Sequence, residues 1–356
     1  MQSKTILITG AAGFVGSQMA LSLKAKYPAY EIYVLDNLKR RGSELNIPRL
    51  KSAGIYFIHG DIRNKEDFDG LPKIDCILEA SAEPSVLAGI DSTPDYLVNT
   101  NLNGTINCLN FATKNKSDFI FLSTSRIYPI ETIENINFTE AETRFEIAEQ
   151  QSIKGFSQKG ISEDFPLDNY RSLYGTTKLA SELFIQEYKQ FFGLRTVINR
   201  CGVLTGPWQM GKIDQGVVVL WLAKHFWNQQ LSYIGYGGTG KQVRDMLHTA
   251  DLFRLIDWQM HHLDEINGEI FNVGGGREIS VSLQELTTLC KEVTGNTIPI
   301  TQITENRTAD IRIYITDNSK VTAKTGWKPE ILPAQIIEEI FAWMQENEQQ
   351  LAAILK

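Results

Sequence analysis

Residues 5–36 constrain this chain more than any other stretch. A short β-branched and apolar run at 5–9 leads into Gly10-Ala-Ala-Gly13-Phe-Val-Gly16, which opens an amphipathic helix through about residue 27. A second apolar run at 31–35 ends at Asp36. Strand, glycine turn, helix, strand and terminal acid, in that order, suit a dinucleotide. The glycines allow a tight turn and close backbone approach to a pyrophosphate, and the helix N-terminus adds N–H donors and a positive dipole end. Asp36 stands twenty residues beyond Gly16, where a carboxylate holds both ribose hydroxyls of NAD and repels the 2′-phosphate of NADP. The glycine spacing alone is a weak signal, and the flanking strands and acid make it a strong one.

The same alternation continues. Apolar runs at 55–58, 76–78, 119–123 and 196–199, with helical patterns between most of them, predict an α/β fold with a Rossmann-type, doubly wound parallel sheet. Ligands of such sheets bind at the carboxyl ends of the strands, and polar residues cluster there: Asp61 and Ile62, Ala80-Ser81-Ala82, and Ser123-Thr124-Ser125. Tyr174-Gly-Thr-Thr-Lys178 then puts a phenol and an ammonium on one helix face. A free tyrosine titrates near pH ~10, and a cation within a few ångströms favours its phenolate, which makes a base. In isolation this spacing is common on exposed helix faces, and its weight comes from the dinucleotide unit upstream.

The segment 131–164 is rich in Glu, Gln, Asn and Lys with weak periodicity, and reads as a long irregular insertion, either a loop near the site or solvated surface. After Arg200 the glycine punctuation changes, which predicts an NAD-binding domain over 1–199 and a smaller α/β substrate lobe over 200–356, with some segments returning to the first. In that lobe 233–240 reads as strand and turn, a helix begins near Ser282, and a last amphipathic helix runs over 333–355.

A formal net charge of −7 argues against a nucleic-acid or anionic-membrane surface, and 42% hydrophobic residues supply a sizeable core. No run approaches the ~18 apolar residues of a membrane span, and the first residues lead into a strand without a signal pattern, so a cytoplasmic location is expected. Four cysteines without C-x-x-C spacing predict buried thiols, and the adjacent His261 and His262 read as surface residues and not as metal ligands.

Thr9-Gly-Ala-Ala-Gly13-Phe-Val-Gly16, Asp36-Asn-Leu38, Asp61-Ile62, Ser123-Thr124-Ser125-Arg126-Ile127-Tyr128 and Tyr174-Gly-Thr-Thr-Lys178 together resemble the extended short-chain dehydrogenase/reductase family of nucleotide-sugar epimerases and dehydratases. The resemblance implies NAD as cofactor, held by Gly10, Gly13, Phe14, Val15, Gly16, Asp36, Asn37, Leu38, Asp61, Ile62, Ala80, Ser81, Ala82, Asn101, Tyr174 and Lys178. It implies a nucleotide-diphosphate sugar as substrate and a homodimer or homotetramer. Thr124 would hydrogen-bond the reacting sugar oxygen, Tyr174 would be the base, and Lys178 would hold the nicotinamide ribose and tune the phenol. Arg244, in Gly240-Lys-Gln-Val-Arg-Asp245, falls at the family's diphosphate-binding arginine, and Arg307-Thr-Ala-Asp310 resembles its later R-x-x-D element. Pro207, Trp208 and Gln215 fall in the expected sugar and nucleobase loop.

Two departures bear on the reaction. The dehydratases of the family follow the threonine with Asp-Glu, which here are Ser125 and Arg126, and Pro129 replaces the usual glycine after the tyrosine of that strand. The first removes the elimination acids and disfavours dehydration, and the resemblance then implies an isomerase that oxidises and re-reduces one sugar carbon, with C2 the expected one. Inversion at C4 of a UDP-hexose, another nucleotide-sugar oxidoreductase, and a non-catalytic NAD-binding scaffold or sensor are the alternatives.

Overall fold

The structure is a computed structural model that describes residues 3–90, 93–211 and 215–356. It divides into two compact units: one of Met1–Ile127, Leu173–Arg200 and Leu252–Phe271, the other of Tyr128–Ser172, Cys201–Asp251 and Asn272–Lys356.

The first unit is built on strands β1 (Thr5–Thr9), β2 (Glu31–Asp36), β3 (Tyr56–His59), β4 (Cys76–Glu79) and β5 (Asp118–Thr124). With Thr196–Cys201 and Ile270–Val273 they make one seven-stranded sheet, in the order Ile270–Val273, Thr196–Cys201, β5, β4, β1, β2, β3. The pairs β1–β2, β2–β3, β1–β4 and β4–β5 are all parallel. Parallel strands covered on both faces read as continuous apolar runs, and Ile6, Leu7 and Ile8 of β1 are each 0% exposed. The apolar core on one side of the sheet joins Leu7, Ile77, Phe119, Phe121, Cys108 and Ile185. Strand order reverses between β1 and β4, and that reversal opens the crevice where doubly wound sheets bind ligands.

Two helices frame the crevice. Phe14–Lys26, helix α1, follows the glycine turn. The long helix Leu173–Phe192 buries Tyr174, Lys178, Glu182 and Ile185 and leaves Leu183, Phe184, Phe191 and Phe192 exposed.

The second unit corrects the reading of 131–164 as irregular. A helix at Ile130–Glu134 and hairpins Phe138–Glu140/Phe145–Ile147 and Phe156–Ser157/Gly160–Ile161 occupy it. Long-range contacts within the unit order these hairpins. The Arg312 guanidinium lies 4.0 Å from the Phe138 ring, Arg144 pairs with Glu285 at 3.3 Å, and the Ile161 N–H donates to the Ile315 carbonyl at 2.8 Å. The helix near Ser282 runs Leu283–Thr294 behind a capping box of Ser282 and Glu285. The final helix is two, Pro333–Glu346 and Glu348–Leu355, broken at Asn347.

His261 and His262 are not simple surface residues: the Tyr30 hydroxyl and His261 Nε2 are hydrogen-bonded at 2.8 Å, and His262 stacks on Trp258 at 4.4 Å. All four cysteines are free and buried. Among the described residues no helix is long and apolar enough to cross a membrane.

Candidate active site

The glycine turn is shaped by backbone contact. Gly10 has φ +65°, and a Cβ there would stand 2.7 Å from Ser81 Cα in the loop after β4. A Cβ on Gly16 would stand 2.6 Å from Ala11 Cα. Neither position tolerates a side chain without moving main chain. Gly13 caps α1 with no side-chain hydrogen bond, and no acid sits in the helix's first turn. This end therefore keeps the donors and dipole that a pyrophosphate uses, with Phe14 and Val15 as the first helical residues.

Asp36 ends β2 and accepts from the N–H groups of Ala12 at 3.0 Å and Leu38 at 2.7 Å. Its carboxylate thus ties the glycine turn to the strand end. Burial raises its pKa, and those backbone donors oppose the rise. Leu38 takes a left-handed φ of 56° to make this turn. Asn37 donates to Asp61 at 2.8 Å, and Arg63 grips the same carboxylate. Burial would raise the Asp61 pKa, but Arg63 and Asn37 together bring it down to about 2. The Ile62 side chain is 3% exposed and packs in the core, which leaves only its backbone to serve a ligand.

Asn101 is held by protein partners. It is 0% exposed, and its amide clasps both backbone groups of Glu83 (2.7 and 3.1 Å) and the Thr177 hydroxyl (3.2 Å). It fastens Glu83, which follows the Ala80-Ser81-Ala82 loop, to the long helix. A π-helical turn at Asn99–Asn103 presents its carbonyl to Ser181 at 2.8 Å.

Thr124 ends β5, and its Oγ1 accepts from the Arg126 N–H at 3.2 Å, so the hydroxyl proton can still be donated to a ligand. On the long helix Tyr174 is 8% and Lys178 1% exposed, with the Lys178 ammonium 3.8 Å from the Phe121 ring centroid. One turn further Glu182 accepts from Ser123 Oγ at 2.5 Å and from Arg200 Nη2 at 2.8 Å. Tyr174, Lys178 and Glu182 form one buried stripe, and Glu182 locks it to β5 and the neighbouring strand. Sequence reasoning missed Glu182 and Arg200, although the eight-residue spacing from Tyr174 was a usable signal.

In the second unit Arg244 donates to Asp310 at 2.8 Å and to the Ile311 and Val243 carbonyls at 2.5 and 2.7 Å. The arginine and the acid of the R-x-x-D element are thus joined, while Arg307 lies in an exposed stretch three residues before Asp310. Trp208, at φ 72°, packs its ring 5.7 Å from Trp343.

These features define a nucleotide-binding redox fold, and the chain belongs to the NAD dependent epimerase/dehydratase family, whose model matches residues 6–274. It is an NAD-dependent enzyme, and a glycine turn packed main chain to main chain, leading into a helix N-terminus with no side-chain cap and no acid in its first turn, fits the cofactor's pyrophosphate. The chain is 30% identical to the CDP-paratose 2-epimerase of Salmonella typhi, across 95% of its own length and 98% of the relative's. It is 27% identical to a putative UDP-glucose 4-epimerase of Methanocaldococcus jannaschii, covering 96% and 99%. The UDP-glucose 4-epimerase of Thermus thermophilus, solved with NAD, superposes with a TM-score of 0.76 at 25% identity, covering 96% and 99%.

Proposed function

We propose that the protein is a self-contained redox epimerase that inverts C2 of a CDP-activated sugar, CDP-paratose. The observation that carries the reading is the buried stripe of Tyr174 and Lys178 alongside the glycine cradle in one unit. Bound NAD supplies the acceptor, and afterwards the donor, of the hydride at the inverted carbon. Tyr174 as phenolate takes the proton of the hydroxyl on that carbon and returns it after inversion. Lys178 favours the phenolate, and Thr124 donates to the sugar oxygen and holds its position.

Ser125 and Arg126 leave no acid pair to drive water elimination, which favours epimerisation over dehydration. The choice of sugar is supported by the full-length likeness to the Salmonella typhi enzyme and by Asp36-Asn-Leu-Lys-Arg-Arg-Gly42, His59-Gly-Asp-Ile-Arg-Asn64 and Thr139-Glu-Ala-Glu-Thr-Arg144. In this reading Arg244 and Arg307 serve the diphosphate, whose charge matches guanidinium forks. The exposed Leu183, Phe184 and Phe191 on the long helix serve a homodimer or homotetramer. The second reading, a UDP-hexose 4-epimerase, is favoured by the likeness to the Methanocaldococcus jannaschii relative.

The test is to incubate purified protein, without added cofactor, with CDP-paratose and with UDP-glucose, and to follow each sugar by NMR. Inversion of CDP-paratose alone at C2 is expected. Inversion of UDP-glucose alone overturns the choice of sugar.

A further inference from the structure

Glu79 lies where the strand order reverses. It ends β4, in register with Thr9 of β1 and Phe121 of β5, so the three side chains leave the same face of the sheet. The Lys178 ammonium sits on that Phe121 ring. Glu79 is 0% exposed, its Oε1 accepts from the Thr105 hydroxyl at 2.7 Å, and its Oε2 has no hydrogen-bond partner. A fully buried carboxylate with one bare oxygen is costly unless a charge answers it.

Around it stand Thr105 and Cys108 from the helix Gly104–Asn115, Lys178 from the long helix, Thr9 from β1 and Phe121 from β5. The titratable groups that interact with it are Lys178 and Cys108. Burial, followed by the charge of Glu79, pushes the Cys108 thiol well above its usual range and keeps it neutral. Lys178 is therefore the charge that Glu79 meets.

We propose that Glu79 is a positioning residue of the proton-transfer site, whose carboxyl competes with the Tyr174 phenol for the single ammonium of Lys178. The inference rests on the reading of Tyr174 as the base. Burial pushes the carboxyl well above the usual carboxylate range, against the opposing pull of Lys178 and of the Thr105 hydroxyl. It therefore keeps its proton to a higher pH than an ordinary carboxyl does, and the ionised form is the one that answers Lys178. While it is protonated, the ammonium acts undiminished on the phenol and favours the phenolate. Once it ionises, part of that field is cancelled and the phenolate is held less well. The two groups then titrate as a linked pair, and the working base is strongest in supply when Glu79 is neutral. A carboxyl retained only for its bond to Thr105 would have no such effect, because an amide makes that bond equally well. Thr105 also reaches the Asn101 carbonyl at 2.8 Å, so its hydroxyl can turn to donate there and accept from a glutamine at 79.

The test titrates Tyr174 itself and needs no substrate. Protein carrying its NAD is labelled with [13Cζ]tyrosine, the Tyr174 signal is assigned by its loss in Tyr174→Phe, and its shift is followed against pH. In Glu79→Gln the phenol is expected to titrate about one pH unit lower, a roughly tenfold change in its equilibrium. Thr105→Val, which removes a bond that favours the ionised carboxyl, moves it in the same direction by less. The wild-type curve carries a second inflection where Glu79 ionises, above the usual carboxylate range, and this arm does not depend on any variant folding. A single-step wild-type curve, or a midpoint unmoved or raised in folded Glu79→Gln, overturns the proposal. If the epimerase reading alone is wrong, the Tyr174 shift remains while no nucleotide sugar is turned over.

Discussion

Replacing Arg200 by methionine isolates a buried contact that holds the long helix to the sheet. Arg200 and Glu182 are 5% and 0% exposed, joined at 2.8 Å through Nη2 and 3.1 Å through Nε, and Ser123 adds a third bond to the same carboxylate. Arg200→Met leaves Glu182 dry with one hydroxyl for company. Breaking a buried pair from one side costs about 3–5 kcal/mol, whereas replacing both charges with neutral groups of similar volume is often close to neutral. The double variant Glu182→Gln/Arg200→Met keeps an acceptor for Ser123 and is expected to recover at least ~2 kcal/mol of the loss. Urea denaturation followed by tryptophan fluorescence measures both as shifts of midpoint at constant slope. Turnover falls as well, since Glu182 sits one turn beyond Lys178 and two beyond Tyr174. A cost below ~1 kcal/mol for Arg200→Met, or a double variant no better than the single, refutes the reasoning.

Other substitutions test the remaining links. Gly16→Ala puts a methyl 2.6 Å from Ala11 Cα, so the protein should purify without NAD while remaining folded, read as the absorbance ratio at the cofactor and protein bands. Burial raises the Glu79 pKa in the folded chain above its value in the unfolded one. The unfolded chain thus releases its proton first, and stability falls as pH rises from the unfolded to the folded pKa, then levels off. Glu79→Gln should flatten that stretch of a denaturation-against-pH curve. Leu183→Glu with Phe184→Glu charges an exposed apolar face, and light scattering should show a smaller assembly with its fold intact.

The sheet was legible because its inner strands β1, β4 and β5 are buried on both faces and so appear as unbroken apolar runs; the first strand falls at Thr5–Thr9 as read. The glycine turn and Asp36 were legible because backbone approach and a strand-end acid leave few residue choices. The hairpins between 131 and 164 were not, because each strand is two or three residues long and owes its order to Arg312, Glu285 and Ile315, far along the chain. Glu79 was hidden because a charged residue at the end of the 76–78 run reads as the start of a loop, yet β4 runs through it with no exposure. Asn101 was assigned to the cofactor by resemblance, while its amide is spent on Glu83 and Thr177. Spacing can mark such a residue but cannot say which way its side chain turns.

The measurement that bears most directly on transient oxidation is made in deuterated water. Purified protein that carries NAD is given its nucleotide sugar and no further cofactor, and the inverted carbon is examined by NMR. The account predicts inversion with the original hydrogen kept at that carbon and no net change in cofactor absorbance. Deuterium at the inverted carbon would mean that the proton leaves carbon and not the hydroxyl facing Tyr174, and would contradict the account.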